Sequence, residues 1–391
     1  MNGDATTKKI IGEIFQEIGE ALETGQFENK KKIGVTLLGS EHGIENVLKG
    51  AESAQKMRND IQVVVIGPAV DTSLAHVEAN TEEECFAVME AMLESGEIDG
   101  CVTMHYNFPI GVATVGRAIA PSYGRSVYLA TTTGTASTNR IAGMLRNAIF
   151  GIATAKAMGI KEPSIGILNL DGARQVERLL KKLDANGYPI RFADSSRKDG
   201  GVIMRGNDLL LGSSDVMVMD TLTGNLMMKI LSSFTAGGNY ETVGYGYGPG
   251  VGENHDKTVL ILSRASGIPV VANGIHYAAD LIKGNLLDVT KNEIIKAKKA
   301  GLDVMIQEVE KVKEEPSQIT QPDKEVVTAQ ISGIDILDLD EAVMGLWAEG
   351  IYAESGMGCT GPIIMVNETK VDQVVEILKK KEYVSEVKVD C

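Results

Sequence analysis

Short apolar runs and amphipathic stretches alternate along most of this chain. The first unit has an apolar run over 33–38, a stretch with helical spacing over 44–56 and a second apolar run over 61–68. Apolar runs of roughly 4–8 residues bounded by turn residues indicate strands, whereas apolar residues at i, i+3 and i+4 indicate a helix with one buried face. The pattern therefore predicts a β-α-β unit.

The alternation continues to about residue 234. Further strands are predicted at 101–105, 127–130, 164–170, 191–194 and 215–219, and further helices at 83–96, 139–158, 175–183 and 225–234. Short apolar strands separated by amphipathic helices are typical of a mostly parallel sheet that is covered on both faces. The predicted fold class is therefore α/β, a doubly wound and mostly parallel sheet that could form two lobes.

Breaks in the pattern divide the chain into four parts. Residues 1–30 carry an amphipathic helix that packs on the body or on a partner, and residues 31–313 form the α/β body, which ends in a long helix over 292–313. Residues 314–327 are polar and contain two prolines, which is typical of a linker. Residues 328–391 are predicted to form a smaller α/β module of two strands, two helices and a Gly-rich loop.

The charge balance argues against several classes of partner. The 391 residues include 38 Lys and Arg against 53 Asp and Glu, a formal net charge of −15. Generic binding to nucleic acid or to an anionic membrane is therefore not expected, and an anionic ligand needs a local positive potential. The chain also shows neither a membrane span nor the apolar core of a signal peptide.

The cysteines and histidines indicate no metal site. Cys85, Cys101, Cys359 and Cys391 are far apart and form no C-x-x-C pair, and the five histidines show no metal-ligand spacing. A disulfide framework is not indicated either, so a reducing cytoplasm fits best. P-loop, hydrolase and zinc-protease motifs do not occur in the sequence.

One cysteine lies in an unusual setting. Cys359 is surrounded by small residues in the stretch SGMGCTGP, where Gly358, Thr360 and Gly361 are its neighbours. Small neighbours leave a thiol open to a substrate, and local backbone N–H groups could stabilise its thiolate and an oxyanion. Cys359 is therefore a candidate nucleophile. The alternative is a small residue that fills a tight turn.

A second candidate site is the stretch DTLTGN, which begins at Asp220. It follows a predicted strand and precedes a predicted helix, and this geometry binds anions through free N–H groups and the helix dipole. Asp220, Thr223, Gly224, Asn225 and Lys229 are the candidate phosphate- or substrate-binding residues. The alternative is structural, with Asp220 or Thr223 as a helix cap and Gly224 as a turn residue.

Two other stretches are rich in Gly or Thr. Glycines alternate with other residues over 244–252, which predicts either a mobile lid over the site or a flexible connection. The Thr-rich stretch over 131–139 either caps the helix that begins near Arg140 or holds a polar ligand, and capping is favoured.

The order of these motifs resembles the phosphate acyltransferases of bacterial phospholipid synthesis. The likeness covers about residues 30–315, and D-x-x-T-G-N at 220–225 is its sharpest motif. It implies a Rossmann-like, phosphate acyltransferase-like body that exchanges an acyl thioester for an acyl phosphate. The segment 104–111, MHYNFPIG, departs from that family's small-residue segment, which argues against a long-chain acyl carrier substrate.

With the SGMGCTGP module included, nearly the whole chain resembles the alpha subunits of component C of glycine, sarcosine or betaine reductase complexes. This resemblance implies that Cys359 holds an acetyl thioester supplied by selenoprotein A, and that inorganic phosphate, the co-substrate, releases acetyl phosphate. It also implies a hetero-oligomer with a beta subunit similar to ketoacyl synthases. No metal or redox cofactor is expected in this chain.

Two other functions stay open. One is a free phosphate acyltransferase that acts on coenzyme A or carrier-protein thioesters, for which Cys359 is dispensable. The other is a noncatalytic scaffold subunit that binds neither an acyl group nor phosphate. A thiol nucleophile together with an anion-binding helix terminus suits thioester phosphorolysis, so the covalent route is the prediction.

Overall fold

The computed structural model describes most of the chain. The described residues are Gly12, Phe15 and Gly19 and the ranges 30–198, 200–311, 320–358, 361–381, 383–384 and 388–390. The predicted helix over 1–30 otherwise lies outside them, but its three described positions are helical and Phe15 is exposed. The predicted linker lies outside them up to residue 319, and its remainder, 320–327, forms neither helix nor strand.

The predicted α/β body is present. Its strands are β1 (Lys31–Thr36), β2 (Ile61–Gly67), β3 (Ala75–Glu78), β4 (Gly100–Thr103), β5 (Val112–Ile119), β6 (Ser126–Thr135), β7 (Ser164–Leu168), β8 (Arg191–Phe192), β9 (Ile203–Met204), β10 (Val216–Val218), β11 (Gly248–Gly252) and β12 (Val259–Ile261). Its helices are α1 (Ile44–Met57), α2 (Glu82–Ser95), α3 (Arg140–Ala157), α4 (Ala173–Ala185), α5 (Gly206–Leu211), α6 (Thr221–Ser233), α7 (Ile268–Lys283), α8 (Leu286–Lys299) and α9 (Leu302–Glu310).

The strands of the body form one sheet, and the direction of the strands reverses in its middle. Over the described ranges the order is β3-β2-β1-β4-β12-β11-β5-β6-β10-β7-β8, with β9 also beside β7. The strands from β3 to β12 are parallel to one another, and so are the strands from β6 to β8. Between these sets, β11 is antiparallel to β12 and to β5, and β5 is antiparallel to β6. The predicted fold class, a mostly parallel α/β sheet, is therefore confirmed.

Helix α3 packs deep within the body. Of its 18 residues, 15 are buried, and it contacts β6, β10 and α8. Each fully buried Leu, Ile or Phe side chain contributes roughly 1.5–3 kcal/mol to folding. The helix begins as the Thr-rich stretch predicts, because the Asn139 side chain accepts a hydrogen bond from the Ala142 N–H at 3.0 Å. This helix therefore joins the second half of the sheet to α8.

The Gly-rich stretch over 244–252 is neither a lid nor a flexible connection. Its second half is β11, a fully buried strand at the centre of the sheet. Close contacts require glycine there: an added Cβ on Gly248 would lie 2.0 Å from the carbonyl oxygen of Val115, and one on Gly250 would lie 2.3 Å from the ring of Phe108. The glycines thus allow close packing of the strand against its neighbours.

Two helix predictions need correction. The helix predicted over 292–313 is two helices, α8 and α9, separated at Gly301, whose φ of 100° lies in the left-handed region that favours glycine. Helix α7 was missed, because its start, Ile268 to Val271, has the apolar and β-branched composition of a strand. Pro269 lies in its first turn, where a missing N–H breaks no helical hydrogen bond.

The carboxy-terminal residues form a separate small sheet. Its elements are β13 (Ala329–Ser332), α10 (Leu339–Ala348), β14 (Ala353–Gly358), β15 (Gly361–Val366), α11 (Val371–Lys380) and β16 (Lys388–Asp390). The strand order is β14-β15-β13-β16 with antiparallel neighbours, which is the split β-α-β-β-α-β arrangement. Two of these strands, β14 and β16, were not predicted from the sequence. Gly356 and Gly358 were also predicted to lie in a loop, whereas both lie in β14.

Two buried aspartates of the small module contact the first turns of α4. The Asp335 carboxylate accepts hydrogen bonds from the backbone N–H groups of Gly172 and Arg174, each at 3.1 Å. Asp338 forms an ion pair with Arg178 at 2.6 Å. A carboxylate at a helix N-terminus complements the helix dipole and satisfies free N–H groups. These contacts hold the module against the carboxyl end of β7.

The predicted domain boundary can be tested by limited proteolysis. We expect a broad-specificity protease to cut first within 314–327, because residues 320–327 are largely exposed and form no regular structure, whereas most of 244–252 is buried. Mass spectrometry of the earliest fragments should identify a body and a small module. An earlier cut within 244–252 would contradict both the boundary and the buried position of β11.

Candidate active site

A cleft of about 410 Å³ lies where the carboxyl ends of β4, β12 and β6 meet helix α6. Its polar lining consists of Glu41, His105, Asn107, Thr133, Lys229, Ser263 and Arg264. Its apolar wall consists of Met104, Tyr106, Phe108, Tyr247, Ile261 and Leu262. A concave site with a few polar groups on an apolar wall is the usual form of a small-molecule site.

Helix α6 begins one turn earlier than its apolar pattern predicts. It starts at Thr221 and not at Asn225, and Asp220 is its N-cap: the carboxylate accepts a hydrogen bond from the Thr223 N–H at 2.8 Å. Gly224 is therefore a helical residue, which corrects its prediction as a turn residue. Its Cα lies so close to β6 that an added Cβ would be 1.7 Å from a carbonyl oxygen of that strand.

A carboxylate already occupies the N-terminus of α6. Asp220 is paired with the Arg140 guanidinium, which also lies 3.6 Å from Asp171. Burial raises the pKa of Asp220, but hydrogen bonds from Thr223 and Arg140 outweigh burial, so its pKa lies below the ordinary value. Asp220 thus has the capping role of the structural alternative. Neither Asp220 nor Thr223 is among the residues that line the cleft, and their part in phosphate binding stays a prediction.

Helix α6 reaches the cleft through Lys229. The Thr221 hydroxyl donates a hydrogen bond at 2.9 Å to the carbonyl oxygen of Gly134, which lines the cleft together with Lys229. Residues four apart share one face of a helix, so Asn225 lies in the same row, between Thr221 and Lys229. Of the predicted binding residues, Lys229 lines the cleft, whereas Asn225 is not among the lining residues and its part in phosphate binding stays a prediction.

The Lys229 ammonium is held at the cleft and stays accessible. It donates a hydrogen bond to the Ser263 hydroxyl at 3.3 Å and lies 3.9 Å from a carboxylate oxygen of Glu241. It also lies 6.0 Å from the centre of the Tyr247 ring. Its side chain is 50% exposed, whereas the Glu241 side chain is 4% exposed. The buried carboxylate therefore positions an ammonium group that can still contact an anion.

Ser263 and Arg264 lie just beyond the end of β12, after Leu262, and neither was among the residues predicted from the sequence. Ser263 is buried, and Arg264 is exposed at the cleft. Among the described residues the Arg264 guanidinium has no ion-pair partner. Lys229 and Arg264 thus set two permanent cations against one carboxylate, Glu41, in the lining. Because the buried Glu241 carboxylate lies 3.9 Å from Lys229 and offsets part of its charge, Arg264 is the main source of the local positive potential that an anionic ligand needs.

A different reading of the sequence would have found these residues. The run TVLIL before Ser263 has the composition of a buried strand, and polar residues that directly follow a strand of an open α/β sheet are candidates for binding. His105 and Asn107 follow β4 in the same way. Thr133 lies in the Thr-rich stretch, for which the capping alternative was favoured.

The predicted nucleophile, Cys359, and its neighbour Thr360 lie outside the described residues. Beside them, Gly358 ends β14 and Gly361 begins β15, and the Cα atoms of these two glycines are paired in the strand register. The predicted roles of Cys359 and of Gly358, Thr360 and Gly361 around it stay predictions.

Two other cysteines are unsuited to nucleophilic chemistry. Cys85 and Cys101 are both buried. Burial raises the pKa of the Cys85 thiol to about 11 and raises that of the Cys101 thiol well above its ordinary value. Since the thiolate is the nucleophilic form, neither group is reactive near neutral pH.

Within the described part of the chain, no group of three or more His, Cys, Asp or Glu side chains is arranged to hold a metal ion. Over the same residues, no helix has both the length and the apolar character needed to cross a membrane.

Comparison with known proteins identifies the family. Residues 31–365 match the family described as fatty acid synthesis protein. The chain is 57% identical to the glycine/sarcosine/betaine reductase complex component C subunit alpha of Peptoclostridium acidaminophilum, over 95% of this chain and 97% of that protein. The chain belongs to this component C alpha-subunit family. The resemblance noted from SGMGCTGP and the body is therefore confirmed.

The body of this component C family member also matches phosphate acyltransferases. It is 26% identical to the phosphate acyltransferase of Geobacillus sp. (strain WCH70) over 245 residues, which cover 51% of this chain and 70% of that protein. Among solved structures, a branched-chain phosphotransacylase from Enterococcus faecalis V583 matches 64% of this chain and 99% of its own, with 18% identity and a TM-score of 0.46.

Proposed function

We propose that this chain is the alpha subunit of component C in a glycine/sarcosine/betaine reductase complex, where it takes up an acetyl group as a thioester on Cys359 and transfers it to inorganic phosphate. The product is acetyl phosphate. The observation that carries the reaction is the cleft, in which Lys229 and Arg264 face an apolar wall in a protein of net charge −15. The name of the 57% identical relative supports the assignment to the complex.

The proposed step needs positioning and electrostatic stabilisation more than any added reagent. An oxygen of hydrogen phosphate attacks the carbonyl carbon of the thioester, the C–S bond breaks and the sulfur of Cys359 leaves with the bonding electrons. The proton of hydrogen phosphate ends on the sulfur. Atoms and charge balance without electron transfer, so the step needs no redox cofactor.

The cleft residues divide this work between them. Lys229 and Arg264 attract the phosphate dianion and hold it for attack, because charge-assisted hydrogen bonds are the stronger class. We propose that Asn225, which lies one turn before Lys229 on α6, donates a further hydrogen bond. The apolar wall lowers the local dielectric, which strengthens these contacts and excludes water from the acyl carbon.

The proposed partners follow from the same assignment. A thioester on Cys359 needs an acyl donor, which we propose to be selenoprotein A of the complex. A beta subunit similar to ketoacyl synthases completes component C, so the chain acts in a cytoplasmic hetero-oligomer.

Replacing Lys229 tests the phosphate site. We expect Lys229→Met to raise the KM for phosphate roughly tenfold or more, because a hydrogen bond to a charged group is worth roughly 1.5–3 kcal/mol. Loading of the acyl group, measured by labelling without phosphate, should change much less. The rate of acetyl phosphate formation is measured against phosphate concentration in the reconstituted complex.

A suitable control is Lys49→Met. Lys49 lies on α1, is exposed, and pairs with Glu45 at 3.6 Å outside the cleft. This variant should keep the original dependence on phosphate. If Lys229→Met and Asn225→Ala also keep it, the phosphate site lies elsewhere and the proposed role of the cleft is wrong.

A free phosphate acyltransferase is the second candidate. The observation in its favour is that the phosphate acyltransferase of the Geobacillus strain matches 51% of this chain. In that reaction a coenzyme A or carrier-protein thioester enters the cleft directly and Cys359 takes no part. Acetyl phosphate formation from acetyl coenzyme A, with no partner protein present and Cys359 replaced, would favour this candidate.

A further inference from the structure

A fixed aromatic ring forms part of the apolar wall of the cleft. Phe108 lines the cleft and packs directly on the backbone of Gly250 in β11, where an added Cβ would lie 2.3 Å from its ring. The ring centre also lies 4.8 Å from that of Tyr106 and 5.2 Å from that of His255, whose ring is nearly perpendicular to it. These contacts surround Phe108 on several sides, so the ring cannot move aside without breaking them.

The residues that hold Phe108 are themselves fixed. The Tyr106 hydroxyl donates a hydrogen bond to a carboxylate oxygen of Glu90 at 2.5 Å, and Glu90 is paired with Lys257. Burial, followed by the contact with Glu90, raises the pKa of Tyr106 to about 12, so the hydroxyl stays protonated and remains a donor. Burial also lowers the pKa of His255, which favours its neutral form against the Phe108 ring.

The charges of the cleft determine which part of a ligand meets this ring. A phosphoryl group is drawn to Lys229 and Arg264, and the carbonyl carbon must lie next to it for attack. The remaining alkyl end of an acyl group has no polar partner to satisfy and is stabilised by the apolar wall. It therefore extends toward Phe108 and its apolar neighbours.

We infer that Phe108 sets the upper length of the acyl group that the cleft accepts, so that the cleft selects short acyl groups. This inference rests on the proposed function and adds a specificity-determining residue to it. A rigid ring that closes a pocket discriminates by size, and each methylene that fits or fails to fit changes binding roughly tenfold or more. Phe108 lies in the segment MHYNFPIG, residues 104–111, which follows β4.

The inference can be tested by binding alone, with two stable analogues of acyl phosphates. Acetonylphosphonate mimics acetyl phosphate, and 2-oxopentylphosphonate carries two more methylenes. We expect the full chain to bind the shorter analogue at least about tenfold more tightly in isothermal titration calorimetry. Phe108→Ala should abolish or reverse this preference, and Phe108→Leu should give an intermediate ratio.

Tyr123→Ala is the matched aromatic control. Tyr123 is 76% exposed and lies in the connection between β5 and β6, at the ends of these strands that are remote from Thr133 in the cleft. It should leave the ratio of the two affinities unchanged. If Phe108→Ala does not fold, the ratio of the two affinities measured for Phe108→Leu decides whether Phe108 sets the preference.

The possible results distinguish an error in the proposed function from an error in the proposed role of Phe108. If the unchanged chain binds neither analogue, the proposed acyl phosphate site in the cleft is wrong. If it binds both analogues but the ratio is the same in the Phe108 variants, the proposed function stands and the role of Phe108 is wrong. A shift of the ratio that follows the size of residue 108 supports the inference.

Discussion

Cys359→Ser is expected to lower the rate of acetyl phosphate formation by at least roughly 10³-fold while the chain still folds and binds its partners. Serine has nearly the same volume, but its hydroxyl is far less nucleophilic near neutral pH than a thiolate. An acetyl group on serine would also be an oxygen ester, which phosphate attacks less readily than a thioester. The rate is measured in the reconstituted complex, and replacing a covalent nucleophile commonly costs this much or more.

Peptide mapping identifies the residue that carries the acyl group. Incubation with labelled acyl donor and partner proteins, with phosphate omitted, should place the label on the Cys359 peptide, and added phosphate should discharge it. Cys391→Ser is the matched control, and it should keep full activity because no Gly-rich stretch surrounds Cys391 in the sequence. Label confined to a partner protein, or undiminished turnover of Cys359→Ser, would exclude the covalent route.

The loss of acetyl phosphate formation expected for Cys359→Ser also distinguishes the proposed function from its alternatives. A free phosphate acyltransferase would keep its rate in this variant, because its thioester belongs to the substrate. A scaffold subunit would show neither label nor a change in KM for phosphate when Lys229 is replaced. The two substitutions, one in the body and one in the carboxy-terminal region of the sequence, therefore test the acyl and phosphate sides of one reaction independently.

Local periodicity predicted those parts of the fold in which each element is strongly patterned. The unit β1-α1-β2 and the cap at Asn139 were found with small boundary errors, because a period of two or 3.6 residues and a capping side chain act within one element. Helix α6 was placed one turn late, because its first turn carries Thr and Gly where an apolar face is expected.

Composition misled the prediction wherever packing with distant residues decides the structure. The glycines over 244–252 predict a mobile segment, yet those from Gly248 onward form the central strand β11. Val115 and Phe108 lie so close to this strand that they leave no room for a Cβ on Gly248 or Gly250. Both neighbours are more than 100 positions away in sequence. Alternating glycines therefore occur both in flexible connections and in closely packed strands, and a single sequence does not distinguish the two.

The candidate site was only half predictable for the same reason. Lys229 was identified because it follows a strand-turn-helix motif that is visible locally. Ser263 reaches it only because β11 and β12 return the chain to the centre of the sheet. Predicting that contact requires the strand order, in which two parallel halves run in opposite directions. Local patterns carry no information on that order.

Gly224→Ala is expected to destabilise the body by about 3 kcal/mol or more, although alanine is the better helix former. An added Cβ would lie 1.7 Å from the carbonyl oxygen of Thr131 and 3.3 Å from the Cα of Thr132. Both are backbone atoms of a buried strand, so no side-chain rotation relieves the overlap and α6 must move away from β6. Thermal and denaturant midpoints of the variant measure the cost.

Gly143→Ala is the control with the opposite expected sign. Gly143 is also a buried helical glycine, in α3, but an added Cβ there would lie 3.5 Å from its nearest neighbour, the carbonyl oxygen of Ser137, which is an ordinary contact. Alanine should therefore stabilise this helix by roughly 0.5–1 kcal/mol.

A Gly224→Ala chain as stable as the unchanged one would show that α6 does not pack against β6 as described. Where α6 moves, Lys229 moves with it, so the same variant should also weaken phosphate binding in whatever fraction remains folded.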